Sequence, residues 1–335
     1  MIEDRGDHFM VEGDIRISKE AVPRLAARRP LSTMEVVRWK QTAGQRQYIT
    51  NVVVGGSQVS SIAVSLNGLA SVSAWQTAAR EAMSEWNRLN CSEIKFVESH
   101  PGDITMVVDS LPGATGLAAF GTFPADGPGN GEPGDTITVN KAYQLTPNNA
   151  STRKLVMAHE LGHNIGFRHT NWYLLYETGS SYGAVRVAGT PDSASGDPAS
   201  IMNGGSPTSS WNGLSIHDKT AATTVYPQTC VSAGLSSPSP LGSMTDCTFT
   251  ASASGGTTPY TYHWSVTSLG GYSFSPSNQF GSSTTFTTKL YNTSYSDSNY
   301  LIAMWVLDAN GKSAQIDQNL SAAGYGQSYD YSRCA

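Results

Sequence analysis

The sequence of 335 residues predicts an α+β domain followed by an all-β domain. The first prediction depends on a long run with helical apolar spacing at 71–90, which stands among several short runs typical of strands. The second depends on a change of composition after Pro227, where short strands recur at even spacing between Gly- and Ser-rich turns. We therefore divide the chain into a charged lead-in at 1–45, an α+β domain at 46–228 and a β-sandwich domain at 229–335.

The first domain is predicted to contain a strand, a long helix, several strands and a second helix, in that order along the chain. A strand is predicted at Tyr48–Val54, and the helix at 71–90 follows it. Trp75 and Trp86 lie at helical spacing within that helix, so we expect both to be core residues. A second helix is predicted to begin near Ser151, a suitable N-cap. The strands between the two helices are predicted at 94–97, 104–108, 116–123 and 135–140.

The run HELGHNIGFRH, which begins at His159, concentrates the chemistry of the chain. His159 and His163 are four residues apart, so on a helix they share one face and can bind one ion. Gly166 fits the helix end, where a positive φ reverses the chain and returns His169 as a third ligand. Three imidazoles leave one position of a tetrahedral Zn²⁺ open for water, as a catalytic site requires. Glu160 can act as general base on that water, whose pKa zinc lowers to about 7.

This pattern, HExxHxxGxxH, resembles the signature of the metzincin zinc peptidases. The resemblance implies that Met202 lies in a Met-turn and forms an apolar floor beneath the metal; an ordinary core methionine is the alternative. It also implies a metzincin catalytic domain with a mixed twisted sheet, the zinc helix and a C-terminal helix within 214–227. By position, Gly116–Phe123 is the edge strand that binds the substrate backbone; an ordinary sheet strand is the alternative.

Within the metzincins, the chain is similar to the bacterial dual-action HEIGH metallopeptidases over about residues 8–228. The run HELGH differs from the family name only by Leu161 in place of Ile. Two positions depart from other branches: Thr170 follows the third histidine, and Gly204 stands where astacins have a tyrosine. A tyrosine ligand is therefore not carried over to this chain.

The amino-terminal segment carries a second resemblance. Val11-Glu12-Gly13-Asp14 is similar to the FxGD motif of astacin prosegments, with Val11 in place of Phe. The resemblance implies that 1–45 is a prosegment and that the Asp14 carboxylate occupies the open position of the zinc in a latent zymogen. Carboxylates are good zinc ligands, which makes this switch physically sound. The alternative is that Gly13 and Asp14 only form a turn.

Composition limits the partners of the protein. The net charge is −5, with 21 basic and 26 acidic residues and no basic block, so we expect neither nucleic acid nor an anionic membrane surface as a partner. No run of 18 apolar residues occurs, so we expect no membrane span. Only 14% of residues are charged while Gly, Ser and Thr are plentiful, which favours a secreted protein; we expect a monomer. Met1–Arg5 is polar and unlike a signal peptide, so export would depend on a removed leader or another route.

The four cysteines, Cys91, Cys230, Cys247 and Cys334, lack CxxC spacing, which argues against a structural zinc site. In a secreted chain they predict one or two disulfides, with three possible pairings.

Two segments outside the zinc motif each have two interpretations. The loop Asp126–Asp135 is rich in oxygen ligands, so it is either a Ca²⁺ site or a plain loop. The segment Gly255–Val266, followed by Asp308-Ala309-Asn310-Gly311, resembles the PKD-type and Ig-like sandwiches of bacterial secreted enzymes. Such a domain would bind the substrate or a surface polysaccharide, or would act as a stabilising spacer.

Together these features predict a secreted zinc endopeptidase that acts on proteins or peptides. Two alternatives remain open from the sequence. The first is a zinc-binding adhesin with a vestigial protease site, which the intact Glu160 argues against. The second is a metallohydrolase that acts on a glycan or an ester. Release of new amino termini from a protein substrate would separate these classes.

Overall fold

A computed structural model divides the chain into two compact units. The first contains Met1–Asn87 and Ser92–Pro227, and the second contains Arg88–Cys91 and Gln228–Ala335. Among the helices that the structure describes, none has the length and apolar character needed to cross a membrane. The structure describes residues 2–4, 8–11, 15–18, 47–110, 117–124, 131–141, 143, 150–172, 183–190, 197–204, 211–238, 246–269, 279–281, 283–289 and 298–322.

The first unit is a mixed α+β structure. Its strands are β1 (Ile2–Asp4), β2 (His8–Val11), β3 (Ile15–Ser18), β4 (Tyr48–Ile49), β5 (Ile62–Gly68), β6 (Phe96–Glu98), β7 (Ile104–Asp109), β8 (Ala119–Gly121), β9 (Thr136–Asn140), β10 (Phe167–Arg168) and β11 (Val185–Arg186). Its helices are α1 (Gly56–Val59), α2 (Ser73–Asn87), α3 (Ala150–Asn164) and α4 (Ile216–Val225). The large sheet has the order β1-β2-β3-β8-β9-β7-β5-β6, in which β9, β7, β5 and β6 pair in parallel. This architecture is compatible with the metzincin-like domain expected from the sequence.

The long helices α2 and α3 pack against each other in the core. The helix predicted at 71–90 is present as α2, and Trp75 and Trp86 are buried as expected. The indole Nε1 of Trp86 donates a hydrogen bond of 3.0 Å to the carbonyl oxygen of Ala158, in the middle of α3. The helix predicted to begin near Ser151 is present as α3 from Ala150, so Ser151 lies in its first turn and is not its N-cap. The two helices therefore fix the position of the HELGH run relative to the core.

Strand β8 has a neighbour on each side, so the edge strand predicted at Gly116–Phe123 is not a free edge in the full chain. The strand that covers it, β3, belongs to the segment 1–45 that the sequence predicts to be a prosegment, and substrate binding at this edge stays a prediction. On one side β8 pairs antiparallel with β9, with Ala119 opposite Val139. On the other side it pairs in parallel with β3, with Ile15 opposite Gly121. A local sequence pattern carries no information about this partner, because β3 comes from the amino-terminal segment, about a hundred residues earlier.

A small sheet of order β10-β4-β11 holds the chain that leaves α3. Phe167 pairs with Ile49, and Arg168 pairs with Tyr48. The strand predicted at Tyr48–Val54 is limited to its first two residues. Strand pairing at β10 places the residue that follows it, the third histidine of the motif, on an ordered backbone.

The second unit is all β in its described residues. Its strands are β12 (Ser232–Ser236), β13 (Asp246–Ser254), β14 (Thr261–Ser268), β15 (Gln279–Gly281), β16 (Thr285–Lys289), β17 (Ser298–Leu307) and β18 (Ser313–Ala322). They form two antiparallel sheets, β12-β13-β16 and β15-β14-β17-β18. Phe249, Trp264, Phe286, Tyr300 and Ile302 belong to one shared buried core. An Ig-like or PKD-like identity for this unit stays a prediction.

One disulfide joins Cys91 to Cys230, both within the second unit, across 139 residues of sequence. Cys247 is also disulfide-bonded, and no cysteine in the described residues is free. Cys334 lies outside the described residues. The expectation of disulfide bonding is confirmed, and the structure selects the pairing of Cys91.

Candidate metal centre

Three histidine side chains converge at the end of α3. The Nε2 atoms of His159 and His163 lie 2.9 Å apart. The Nε2 atom of His169 lies 3.1 Å from that of His159 and 3.2 Å from that of His163. All three side chains are buried. In the described parts of the chain, this is the one group of metal-ligating side chains close enough to hold an ion.

The remote nitrogens of two of these rings contact backbone carbonyls. Nδ1 of His159 lies 2.6 Å from the carbonyl oxygen of Ile201, and Nδ1 of His163 lies 2.8 Å from that of Phe167. A carbonyl oxygen only accepts, so each Nδ1 carries the proton and donates it. Each Nε2 then has its lone pair directed at the other rings. Lone pairs that face one another in this way repel unless a cation lies between them.

The separations of the three Nε2 atoms fit zinc. Imidazole nitrogens bound tetrahedrally at about 2.0–2.1 Å from Zn²⁺ lie about 3.3–3.4 Å apart. The observed separations, from 2.9 to 3.2 Å, are shorter than that value by half an ångström or less. Histidines that bind zinc also tend to donate their second nitrogen to a carbonyl or carboxylate, as two of these do. The donor set therefore fits a zinc ion with one open coordination position.

Gly166 makes the turn that brings the third histidine back. Its φ is +102°, in the region that favours glycine. Its N–H donates to the carbonyl oxygen of His163, at 2.9 Å, which closes the last turn of α3. Its carbonyl oxygen accepts from the N–H of Thr50, at 2.8 Å. The turn is thus held from both sides, and His169 follows three residues later.

Glu160 is buried and lies against β8. A β-carbon built on Gly121 would lie 3.4 Å from Oε2 of Glu160 and 3.0 Å from its backbone oxygen. The same β-carbon would lie 3.5 Å from Oδ1 of Asn164, whose Nδ2 donates to the carbonyl oxygen of Thr122. The lack of a side chain at Gly121 therefore lets β8 approach the backbone of α3 closely at Glu160, whose carboxylate lies in ordinary contact range of the same strand.

Met202 packs beneath the histidine-bearing turn of α3. A β-carbon on Gly162 would lie 2.5 Å from Sδ of Met202, so the glycine and the thioether are in close contact. Gly162 lies between His159 and His163 in sequence, so the thioether contacts the turn of α3 that carries both histidines. A supporting role of Met202 beneath the metal stays a prediction.

A buried polar cluster behind Met202 was not predicted from the sequence. It consists of Gln47, Ser200 and Asp218, and we refer to it as the Asp218 cluster. Burial raises the pKa of the Asp218 carboxyl, while hydrogen bonds from Ser200 and from the amides of Ile201 and Ser215 oppose that rise. The spacing Ser215-x-x-Asp218 is a capping-box signal for the start of α4, and the structure has that capping box. It gives no hint of Gln47, which is 171 residues from Asp218 in sequence.

Two sequence predictions fall on residues that the structure does not describe. Asp14, the predicted ligand of the latent form, lies outside the described residues. So does the 126–130 part of the loop Asp126–Asp135, for which calcium was one interpretation. Both stay predictions.

Comparison with known proteins agrees with this geometry. The profile of the dual-action HEIGH metallopeptidase family matches residues 10–226, well over half of the chain. The metalloprotease AprA of Pseudomonas entomophila (strain L48) is 29% identical over 107 residues, which are 31% of this chain and 22% of that protein. The chain therefore matches about one fifth of the length of that relative. On the family match, which includes the three converging histidines, the chain belongs to the dual-action HEIGH metallopeptidases.

Proposed function

We propose that the protein is a secreted, zinc-dependent endopeptidase that is made as a latent zymogen. The observation that carries the proposal is the convergence of three Nε2 atoms, from His159, His163 and His169, with protons fixed on the remote nitrogens of two rings. A purely structural zinc would have four protein ligands, whereas this set has three. The disulfide of Cys91 supports an oxidising, extracellular environment.

In this proposal the chain's own residues divide the work of peptide hydrolysis. The three histidines hold the metal, and Met202 supports them from below. Zinc bound there supplies a Lewis acid that acidifies a water and polarises a peptide carbonyl. A carboxylate oxygen of Glu160 accepts a proton from the attacking water and then passes it to the nitrogen of the leaving amine. Burial of Glu160 beside β8 orients that carboxylate before the substrate binds.

The first experiment tests chemistry and metal dependence together. Purified protein is incubated with casein and with a quenched peptide, before and after limited trypsin, with and without 1,10-phenanthroline. We expect cleavage that the chelator abolishes and that rises after trypsin. A zinc-loaded protein that releases no new amino termini under any of these conditions would contradict the proposal and favour a binding protein or another hydrolase.

A Glu160→Gln variant tests the assigned base. We expect kcat/KM to fall by about 10²–10⁴-fold, because the amide cannot accept the proton, while the zinc content stays at the wild-type level. Glu98→Gln is a matched control, since Glu98 is an exposed carboxylate paired with Arg80 on the surface. Wild-type turnover by the Glu160 variant would show that another group is the base.

Latency is proposed to reside in residues 1–45. Ile15, the residue after Asp14, pairs with Gly121, and Gly121 adjoins the carboxylate of Glu160. The backbone next to Asp14 thus runs beside the proposed base, which supports Asp14 as the ligand that blocks the metal. We expect Asp14→Ala to shorten the delay before activity appears in the full chain. Activation at the wild-type rate would remove Asp14 from this role.

The remaining assignments complete the proposal. We assign residues 46–228 to the catalytic domain and residues 229–335 to an accessory β domain, and we propose that the protein is a monomer. The division of the chain at Pro227 supports the boundary between the two domains. The accessory domain binds protein substrate or surface polysaccharide, or serves as a spacer. Pull-down of the full chain on insoluble polysaccharides, compared with casein beads, would separate these roles.

A further inference from the structure

The side chain of Asp218 is buried, and each of its two carboxylate oxygens accepts two hydrogen bonds. Its Oδ1 accepts from Nε2 of Gln47, at 2.9 Å, and from Oγ of Ser200, at 2.6 Å. Its Oδ2 accepts from the backbone N–H of Ile201 and from that of Ser215, each at 3.0 Å. Four donors from three separate segments of the chain therefore meet on one side chain of α4.

Two of these hydrogen bonds lead to the first metal ligand. The Ile201 N–H donates to Asp218, and the carbonyl oxygen of the same residue accepts from Nδ1 of His159, at 2.6 Å. The N–H and the carbonyl both belong to Ile201, whose side chain is buried. A carboxylate that holds the N–H of this residue therefore also restricts the direction of its carbonyl. The direction of the His159 ring, and with it the direction of Nε2, depends on where that carbonyl points.

A second path leads to the third ligand. The Ser200 hydroxyl donates to Asp218 and accepts from the N–H of Met202, at 3.0 Å. The Met202 carbonyl oxygen in turn accepts from the N–H of Thr170, at 2.9 Å. Thr170 directly follows His169 in the chain. The segment of Ser200–Met202 thus holds both ligands that flank His163, and Asp218 holds that segment.

We propose that Asp218 is a positioning residue for the metal centre, which orients His159 through Ile201 and the backbone of His169 through Ser200 and Met202. This inference rests on the proposed zinc site. It adds a determinant of metal affinity that lies on α4, outside the HExxHxxGxxH run and without contact to the metal. Partners that orient metal-bound histidines contribute about 10–100-fold to affinity in other sites.

A merely structural carboxylate is the competing explanation, and the chain offers a matched control for it. Asp308 in the second unit is also buried and accepts from three backbone amides, those of Thr257, Asn310 and Lys312. Replacing either aspartate with asparagine removes a buried acceptor of backbone N–H groups. Only the Asp218 replacement touches a residue that contacts a histidine of the metal centre.

The experiment compares full-length Asp218→Asn and Asp308→Asn with wild type. Zn²⁺ affinity is measured by competition with a chromogenic chelator at a temperature where circular dichroism finds all three proteins folded. We expect the Kd for Zn²⁺ to rise about 10–100-fold in Asp218→Asn and to stay within about twofold of wild type in Asp308→Asn. Equal Kd values for wild type and Asp218→Asn, or an equal rise in both variants, would overturn the inference.

A milder variant keeps the test informative if Asp218→Asn fails to fold. Ser200→Ala leaves the carboxylate and three of its donors in place; it cuts the path to Met202 and the hydrogen bond that Ser200 accepts from Gln47. We expect a several-fold rise in the Kd for Zn²⁺, and an unchanged Kd would count against the proposal. Failure of the proposed function is a separate result: wild-type protein that binds zinc but cleaves no peptide leaves the affinity comparison intact.

Discussion

Gly162 stands between two metal ligands and is in contact with the side chain of Met202. A methyl group there would lie 2.5 Å from Sδ and 3.1 Å from Cε of Met202. We therefore expect Gly162→Ala to displace the thioether from the turn of α3 that carries His159 and His163. The variant should lose about 1–3 kcal/mol of the free energy of unfolding, as overpacked core positions do, and should bind Zn²⁺ more weakly.

Urea unfolding and zinc competition measure the two effects, and Gly56→Ala is the control. A β-carbon on Gly56 meets its nearest neighbour at 3.7 Å, an ordinary contact, in the short helix α1. That variant should keep both wild-type stability and wild-type metal affinity. A Gly162→Ala protein with the same zinc affinity as Gly56→Ala would mean that Met202 has no part in supporting the ligands.

For single residues, the sequence predicts the arrangement of those that lie close together along the chain. His159, His163 and Gly166 lie within two turns of one another, so helical geometry and one positive φ determine their arrangement. Asp218 contacts Gln47 and Ser200 from 171 and 18 residues away. No spacing rule links such positions, because their proximity results from the packing of whole elements.

The end of α4 is locked to the end of α3 by one hydroxyl. The Tyr226 side chain is buried; its hydroxyl donates to the carbonyl oxygen of Ile165 and accepts from the N–H of Val54, at 3.2 Å. Burial raises the pKa of this phenol far above its ordinary value, so the hydroxyl stays protonated. The hydrogen bond to Ile165 thus holds the residue that directly precedes the turn at Gly166.

We expect Tyr226→Phe to cost about 1–3 kcal/mol of the free energy of unfolding, because a buried carbonyl and a buried N–H both lose their partner. Urea denaturation of the two proteins measures the difference. Tyr260→Phe is the comparison, since the Tyr260 hydroxyl donates to the carbonyl of Gly255 in a half-buried position and should cost less. An equal loss in the two variants would contradict the assigned role of Tyr226.

Elements were predictable where their own pattern defines them. The apolar spacing around Trp75 and Trp86 predicted α2, and the alternation at 104–108 predicted β7. The position of β8 was not predictable, since its second neighbour is β3 from the amino-terminal segment. Short strands such as β3 and β4 also give weak patterns, because two to four residues contain at most one or two alternations.

At the scale of the whole chain, the disulfide joins two cysteines that are far apart in sequence, because Ser92–Pro227 of the first unit lies between them. Cys91 and Cys230 are 139 residues apart. Closing a loop of that length restricts the unfolded chain, so we expect Cys91→Ala/Cys230→Ala to lose about 2–5 kcal/mol of the free energy of global unfolding. Guanidinium denaturation without reductant measures the loss. The double variant should still bind zinc, because neither cysteine belongs to the unit that holds His163; loss of zinc binding would refute that independence.

Metal removal should act on one unit and spare the other. All three candidate ligands lie in the first unit, so zinc bound to its folded form stabilises that unit by about 2.7 kcal/mol at a free concentration of 100 times Kd and about 4.1 kcal/mol at 1,000 times Kd. Scanning calorimetry with zinc and after chelation should therefore shift one transition and leave the transition of the second unit in place. His163→Ala should unfold at the chelated position in both conditions, since two histidines hold zinc far less tightly than three. A shift of both transitions together would show that the units unfold as one, and no shift in wild type would mean that the histidine cluster does not bind the metal.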